Sequence, residues 1–167
     1  TTAWKVCLWA RDHSPRSYDI YRSTIGHLTD SPAGTGLYYN LTSLNQCMQM
    51  EGNWGLTAGV AEMLLQSHPG YLDLLALPSG WPDGSVSGLR AIGNHRVDIV
   101  WADGEADDIT VTSESGRPVR MLSDFVGTRY IYVDGQLYSS PAQARSADGR
   151  EVVEIATGPG TEVRITR

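Results

Sequence analysis

The spacing of apolar residues changes once along this chain, from a helical period to alternation near residue 71. Before that point, apolar residues recur three or four positions apart, as on one face of an α-helix. Trp4, Cys7 and Leu8 predict a first helix on this basis. A second helix is predicted after the N-cap and first-turn pair Ser14-Pro15, with Tyr18, Tyr21 and Ile25 on one face and Gly26 near its end.

The third and clearest helical pattern covers residues 56–67. Asn53 is its predicted N-cap, and the sequence His68-Pro69-Gly70 is expected to end it. The preceding residues 30–52 show no sustained period and are expected to form a long loop, of the kind that is often functional. The apolar stripe that predicts the helix consists of Leu56, Val60, Met63 and Leu64.

After residue 71, apolar and polar residues alternate, which is the pattern of half-buried β-strands. The dipeptides Asp103-Gly104 and Asp134-Gly135 favour tight hairpins between such strands. Short strands at this spacing predict an antiparallel β-sandwich. The expected inward positions are Val97, Ile99, Trp101, Ile109, Val111, Val153, Ile155, Val163 and Ile165, and a further strand is expected over Tyr130–Val133.

Composition narrows the classes of partner. The 167 residues carry a formal net charge of -6, and no cluster of Lys or Arg interrupts the acidic balance. We therefore expect no nucleic-acid or anionic-membrane partner. The longest apolar stretch is far shorter than the roughly 20 residues of a membrane span. No targeting signal is visible, so localisation stays open, and a secreted or periplasmic parent protein is compatible with the composition.

The residues that commonly bind metals show no metal-site spacing. The four histidines and the two cysteines, Cys7 and Cys47, form no C-x-x-C or His pair, so we expect neither a metal nor a cofactor. Two unpaired thiols are the expected state, with a disulfide between them as the open alternative. Asp103, Asp107 and Asp108 surround a predicted hairpin and are interpreted as structural.

One segment carries a family resemblance. Residues 48–55, MQMEGNWG, followed by TAGVAEMLLQSH at residues 57–68, resemble the motifs F-Q-I-D-G-N-F-G and T-A-G-I-A-E-M-L-L-Q-S-H of glycoside hydrolase family 95. That family holds the 1,2-α-L-fucosidases. Upstream, AWK at residues 3–5 and LWAR at residues 8–11 look like a helix of the same family, and the similarity extends to residue 101.

The resemblance implies a fold in two parts, an (α/α)6 catalytic barrel followed by a β-sandwich. On this basis the chain is expected to be α+β, with residues 1–70 forming the last helices of the barrel and residues 71–167 the C-terminal sandwich. An (α/α)6 barrel needs twelve helices, and the apolar pattern predicts only about three. We therefore expect a C-terminal fragment whose partner is the remainder of the barrel.

The family's motif also implies site residues. Glu51 stands where the family has the Asp that serves as general base of an inverting hydrolysis, while Gln49, Asn53, Trp54 and Asn45 are expected to bind substrate. Asn45 replaces a usual His, and Trp54 replaces Phe. The structural alternative for Glu51 is that it only complements the positive end of the helix that follows.

The expected function is the C-terminal part of an inverting exo-α-glycosidase that removes terminal α-L-fucosyl or related sugars from glycans. The general acid and the water-positioning asparagines are implied to lie upstream of Thr1, so the chain alone is expected to be inactive. The alternative is a non-catalytic carbohydrate-binding or interaction module derived from such an enzyme. The choice between α-L-fucose and α-L-galactose stays open.

Overall fold

The computed structural model of the protein describes residues 2–26, 50–74, 80–139 and 141–167. These residues fall into two compact units. The first unit is helical and contains residues 2–26 and 50–64, together with Gly80. The second contains residues 65–74, 81–139 and 141–167 and is rich in antiparallel β-structure. Within these ranges, no helix has both the length and the apolar character that a bilayer crossing requires.

The helical unit confirms the three predicted helices but changes the bounds of the third. The helices are α1 (Thr2–Arg11), α2 (Arg16–Ile25) and α3 (Met50–Leu64). The expectation of a helix over residues 56–67 was wrong at both ends, and Asn53 lies inside α3 rather than at its N-cap. Gly52 and Gly55 weaken the helical signal of the first turns, and Leu65–Gln66 leave the helix to pair with Asp73–Leu74 as strands.

The helices bury small residues and expose large ones. In α1 the buried face consists of Ala3, Val6 and Ala10, whereas Trp4 is 54% and Leu8 47% exposed. Trp4, Cys7 and Leu8, whose spacing predicted the helix, are therefore not the residues that it buries. Small side chains let α1 approach α3 closely, so the face that packs is not the most hydrophobic one.

Helix α2 follows the same rule, since its buried residues are the small polar Ser17 and Thr24. Their hydroxyl groups donate hydrogen bonds to the main-chain oxygens of Ser14 and Ile20, at 2.9 Å and 2.8 Å. Burial therefore leaves neither hydroxyl without a partner. Ile25, predicted as part of the apolar face, is 38% exposed.

The β-rich unit contains eleven strands in its described part and one short helix, α4 (Ser123–Val126). A two-stranded sheet pairs β1 with β2, a three-stranded sheet has the order β6-β10-β9, and a six-stranded sheet has the order β3-β4-β5-β11-β7-β8. All strand pairs in these sheets are antiparallel. The strands are β1 (Leu65–Gln66), β2 (Asp73–Leu74), β3 (Gly84–Ala91), β4 (His95–Ala102), β5 (Glu105–Ser113), β6 (Val119–Leu122), β7 (Tyr130–Val133), β8 (Gln136–Leu137), β9 (Ala142–Arg145), β10 (Glu151–Ile155) and β11 (Thr161–Thr166).

Both predicted hairpins are present, and their geometry explains the Asp-Gly sequences. Asp103 and Gly104 have φ values of 53° and 75°, and Asp134 and Gly135 have values of 47° and 78°. Two consecutive positive φ angles are the backbone of the tight turn that matches the twist of the flanking strands, and Asp and Gly tolerate them best. The first turn joins β4 to β5, and the second joins β7 to β8.

Burial alternates along the strands in the same way as apolar and polar residues alternate along the sequence. In β4, Val97, Ile99 and Trp101 are buried, while Val100 on the other face is 48% exposed. Asp108, interpreted from sequence as structural, accepts hydrogen bonds from Arg164 across the pair β5 and β11. The structure also contains β3, β6 and β9, which the alternation did not single out.

Replacing Ile99 by Ala should lower the free energy of unfolding by about 2–5 kcal/mol, because it leaves a cavity at a position that is 1% exposed. Val100→Ala, next to it on the exposed face of β4, should change it by only about 0.5 kcal/mol. Urea denaturation of the full chain measures both values. Equal losses in the two variants would contradict the assigned faces of β4.

Candidate functional site

The candidate catalytic carboxylate, Glu51, lies in the first turn of α3 and is exposed in this structure. The first N–H groups of a helix lack intrahelical acceptors and carry partial positive charge. A carboxylate in this turn therefore interacts favourably with the helix end as an anion. An exposed anionic carboxylate is a group that can accept a proton from water.

Trp54 lies three residues after Glu51, on the same side of α3. Its side chain is 66% exposed, so an aromatic surface and a carboxylate lie side by side along the outer face of the helix. Asn53 is half-buried, and its main-chain oxygen accepts a hydrogen bond from the Thr57 hydroxyl at 3.1 Å. The other two predicted substrate-binding residues, Gln49 and Asn45, lie outside the described residues.

Two glycines on the inner face of α3 fix the distance between α3 and α1. A Cβ atom at Gly55 would lie 2.7 Å from the Cβ of Ala3, and one at Gly59 would lie 2.5 Å from Cγ1 of Val6. Both distances are shorter than van der Waals contact, so only glycine fits at these positions. Glycines four residues apart fall on one helix face, which explains their spacing within the motif.

An ion pair joins the same two helices near their other ends. The guanidinium group of Arg11 donates hydrogen bonds to the Glu62 carboxylate at 2.6 Å and 3.1 Å. The Glu62 side chain is more shielded from water than that of Arg11, since 20% of it is exposed against 48% of Arg11. Both residues lie within the stretches that resemble the family, but neither has a role that was predicted from sequence. The available signal was their opposite charge at the ends of two predicted neighbouring helices.

Cys7 faces the same helix interface. It is a free thiol in the described part of the chain, and its Sγ lies 3.7 Å from the main-chain oxygen of Gly55. Burial, and after it the nearby Glu62 carboxylate, raise the pKa of the Cys7 thiol above its usual value. Such a thiol is a poor nucleophile, so we assign it to packing. Cys47 lies outside the described residues.

The described residues contain no group of three or more His, Cys, Asp or Glu side chains that could hold a metal ion. What α3 offers chemically is one exposed carboxylate beside an exposed aromatic ring. Hydrolysis of a glycosidic bond by acid-base catalysis needs a second carboxyl group opposite the first. In the first turn of α3 the structure shows one exposed carboxylate, that of Glu51.

Comparison with known proteins divides the chain at the same place as the two compact units of the structure. The model of the glycosyl hydrolase family 95 catalytic domain matches residues 1–64, and the model of the glycoside hydrolase family 95 C-terminal domain matches residues 66–165. The chain belongs to glycoside hydrolase family 95. The resemblance inferred from the motifs around Glu51 is confirmed.

Two curated relatives are much longer than this chain. One is "Alpha-L-fucosidase 2" of Arabidopsis thaliana, 36% identical over 138 residues, which cover 79% of this chain and 15% of the relative. Another is "Probable alpha-fucosidase A" of Aspergillus oryzae, 28% identical over 135 residues, which cover 72% of this chain and 18% of the relative. The aligned part of the chain thus spans less than a fifth of the length of either protein.

Replacing Gly59 by Ala should destabilise the helical unit by about 1–3 kcal/mol, because the new methyl group overlaps Val6. The same change at a solvent-facing helix position would instead stabilise by about 0.5–1 kcal/mol, so the sign of the effect reports the contact. Thermal unfolding of the full chain, followed by helical circular dichroism, measures it. In the double variant with Val6→Ala, the loss should be smaller than the sum of the two single losses. Strict additivity would contradict the contact.

Proposed function

We propose that this chain is the C-terminal part of an inverting exo-α-glycosidase of the α-L-fucosidase type, with Glu51 as the general base. The observation that carries the proposal is the exposed position of Glu51, in the first turn of α3 and within the segment that matches the family's catalytic domain. Both curated relatives carry fucosidase names, which supports α-L-fucosyl groups as the sugar.

In the proposed reaction, the Glu51 carboxylate takes a proton from the water molecule that attacks the anomeric carbon. A second, protonated carboxyl group gives its proton to the leaving glycosidic oxygen, and the configuration at the anomeric carbon inverts. The two carboxyl groups of such a pair stand about 6.5–9.5 Å apart, which leaves room for the water. We place the acid and the asparagines that orient the water in the part of the parent protein that precedes Thr1.

The substrate-binding residues of this proposal are Trp54, Asn53, Gln49 and Asn45. The exposed ring of Trp54 supports stacking on the apolar face of a sugar, because it lies one turn from Glu51. Asn53 is half-buried and follows the carboxylate by two residues. Gln49 and Asn45 precede α3 in the chain, Gln49 within the family's motif and Asn45 three residues before its first residue.

For the architecture, we propose that residues 1–70 are the last helices of an (α/α)6 barrel and that residues 71–167 form a β-sandwich. The exposed apolar face of the helices supports the first part. Trp4 and Leu8, together with Trp9 and Ile20, line a surface groove of about 580 Å³. Large apolar side chains on such a surface are typical of an interface. The proposed occupant is the remainder of the catalytic barrel of the same parent protein.

The alternative function is a non-catalytic carbohydrate-binding or interaction module derived from such an enzyme. The observation that favours it is the exchange of the family's Asp for Glu51, which lengthens the side chain by one methylene. Catalytic groups tolerate only about 0.5 Å of displacement, so this exchange either is matched by an adjusted pocket or marks lost activity. Turnover by the full-length parent protein separates the two.

Replacing Glu51 by Gln in the full-length parent protein should lower kcat for an α-L-fucoside by about 10²–10⁴-fold, because the amide cannot accept the proton from water. Substrate binding should persist, since the amide keeps the size of the side chain. Steady-state kinetics and equilibrium binding of the fucoside measure the two effects. Glu162→Gln, the same change at an exposed position of β11, is the matched control and should keep full turnover.

Unchanged turnover in Glu51→Gln would refute the assignment of Glu51 as the general base. If the unsubstituted parent protein binds α-fucosides but hydrolyses none of them, the alternative function is correct instead. Proton nuclear magnetic resonance of the first product formed reads its anomeric configuration. Retention of that configuration would exclude the inverting mechanism.

Leu8→Glu tests the proposed interface with the remainder of the barrel. In the parent protein it should destabilise by about 2–5 kcal/mol, because it would bury a charge without a partner. In the 167-residue chain, where Leu8 is 47% exposed, the effect should be about 0.5 kcal/mol. Urea denaturation of both proteins makes the comparison. Equally small losses in the two would show that nothing covers this face.

A further inference from the structure

A groove lies on the side of the β-rich unit where two of its sheets each end in a short strand. The six-stranded sheet ends in β8, and the three-stranded sheet ends in β9. Leu137 of β8 and Gln143 of β9 line one cavity of about 340 Å³, which is within the usual range for a small-molecule site. A second hollow of about 590 Å³ adjoins it, because Ser123 and Gln143 line both. We call the two hollows together the edge groove.

The edge groove has an apolar floor and an exposed aromatic ring at its side. Val126, Ile131 and Val153 line it and are buried, with 5%, 6% and 3% of each residue exposed. Tyr130 and Leu137 also line it, and they are 59% and 62% exposed. Large apolar side chains that stay exposed around a concave surface are typical of a binding site. The Tyr130 ring is therefore accessible to a ligand in the groove.

The polar side chains of the groove leave hydrogen-bonding groups free for a ligand. Oε1 of Gln143 accepts a hydrogen bond from the Ser123 hydroxyl at 3.1 Å, which orients the amide. The amide nitrogen of Gln143 carries two hydrogens and has no partner among the described residues, and the side chain is exposed. The hydroxyl groups of Tyr130 and Ser139, both exposed, likewise have no partner in the described part of the chain. A ligand in the groove thus meets accessible donors and acceptors beside an apolar surface.

The charged side chains in the lining favour a neutral ligand. Three of the described lining residues are charged, namely Arg129, Arg145 and Glu151. The guanidinium group of Arg145 is paired with the Glu151 carboxylate at 3.1 Å, so these two charges cancel. The guanidinium group of Arg129 lies 4.5 Å from the centre of the Phe125 ring, a cation-π contact. Only the charge of Arg129 then remains to be balanced.

The surroundings of Arg129 balance its charge. Its guanidinium group donates a hydrogen bond to the main-chain oxygen of Ala106 at 2.5 Å. Burial and, after it, Arg167 lower the pKa of Arg129 by more than the nearby carboxylates of Glu105 and Asp107 raise it. Arg167 is itself paired with Glu105 at 2.6 Å. Two guanidinium groups thus lie among two carboxylates, and no net positive charge is left for an anionic ligand.

A chain of neutral sugars matches these properties. A sugar ring presents C–H groups on its faces, which pack on an aromatic ring, and hydroxyl groups at its edge, which both donate and accept. Two adjoining hollows suit two or more linked rings. An extended peptide would bind a strand edge through main-chain groups instead. The edges here offer few such groups, because β8 has two residues and Pro141, just before β9, has no N–H.

We propose that the edge groove binds a chain of neutral sugars, with one ring stacked on Tyr130 and one hydroxyl group accepting a hydrogen bond from the Gln143 amide. The choice of a sugar rests on the proposed function. The position of the site rests on the exposed ring, the free amide and the balanced charges. The groove would hold the glycan from which the parent protein removes a terminal sugar.

The test uses the 167-residue chain and tetrasaccharides that contain no fucose, so that they do not probe the proposed specificity of the catalytic site. The probes are cellotetraose, mannotetraose, xylotetraose and β-1,4-galactotetraose, titrated by calorimetry and by nitrogen-15 nuclear magnetic resonance. At least one should bind saturably and shift the side-chain amide of Gln143. In Tyr130→Ala the stacking surface is lost, so the Kd should rise about tenfold or more, which is about 1.4 kcal/mol.

Three further variants separate the contacts. Tyr130→Phe keeps the ring, so its Kd should rise by about threefold at most. Gln143→Met keeps the length of the side chain but removes the amide, so its Kd should rise by about threefold or more. Trp54→Ala removes an exposed ring that does not line the groove, and its Kd should stay the same. Circular dichroism verifies that each variant is folded.

The proposal is overturned if none of the tetrasaccharides shifts Gln143, or if folded Tyr130→Ala and Gln143→Met bind as the original chain does. Loss of binding in Trp54→Ala would place the sugar at the candidate catalytic site and refute the groove. Saturable binding of a hexapeptide of alternating Thr and Val, without binding of any tetrasaccharide, would show that the groove accepts a strand.

The same titration of the full-length parent protein tests whether the groove is open there. If the parent protein lacks the binding that depends on Tyr130, the rest of that protein covers the groove, and the site is refuted. None of these failures affects the proposed function, which turnover of an α-L-fucoside tests. Unchanged turnover in Glu51→Gln would refute the general base without altering the titration of Gln143.

Discussion

The close contact between α1 and α3 determines which side chains of α3 remain exposed on the helical unit. Because Gly55 and Gly59 lack side chains, the two helices approach to a distance that no larger residue would allow. The pair formed by Arg11 and Glu62 adds a directional contact near the end of α3. With its inner face fixed in this way, α3 has only its outer face available for chemistry, and Glu51 and Trp54 lie there.

The strands were more predictable from sequence than the helices, for a physical reason. In β4 and β5 one face is buried, so hydrophobicity alternates and the Asp-Gly turns fix the register. In α1 and α2 the buried side chains are small, so hydrophobicity does not mark the packed face. The start of α3 was missed because glycines that weaken a helix in isolation are the residues that allow it to pack.

The candidate site was predictable only in part, because a sequence motif identifies residues but gives neither their exposure nor their contacts. The motif located Glu51, and the structure shows it exposed near the end of a helix, beside Trp54. The motif could not reveal the helix contact beneath it, since Gly55 and Gly59 carry no functional group and the sequence does not show that Glu62 is paired with Arg11.

The borders of the six-stranded sheet bear on how the β-rich unit behaves at high concentration. One border strand, β8, has two residues, and the other, β3, is interrupted by a register shift between Val86 and Leu89, with Gly88 at a φ of 77°. Unpaired N–H and C=O groups along a long flat strand would recruit strands of other molecules. A two-residue edge strand and an edge strand with a register shift offer few consecutive unpaired N–H and C=O groups to another chain. This sheet therefore resists growing into fibrils by the addition of chains at its edges.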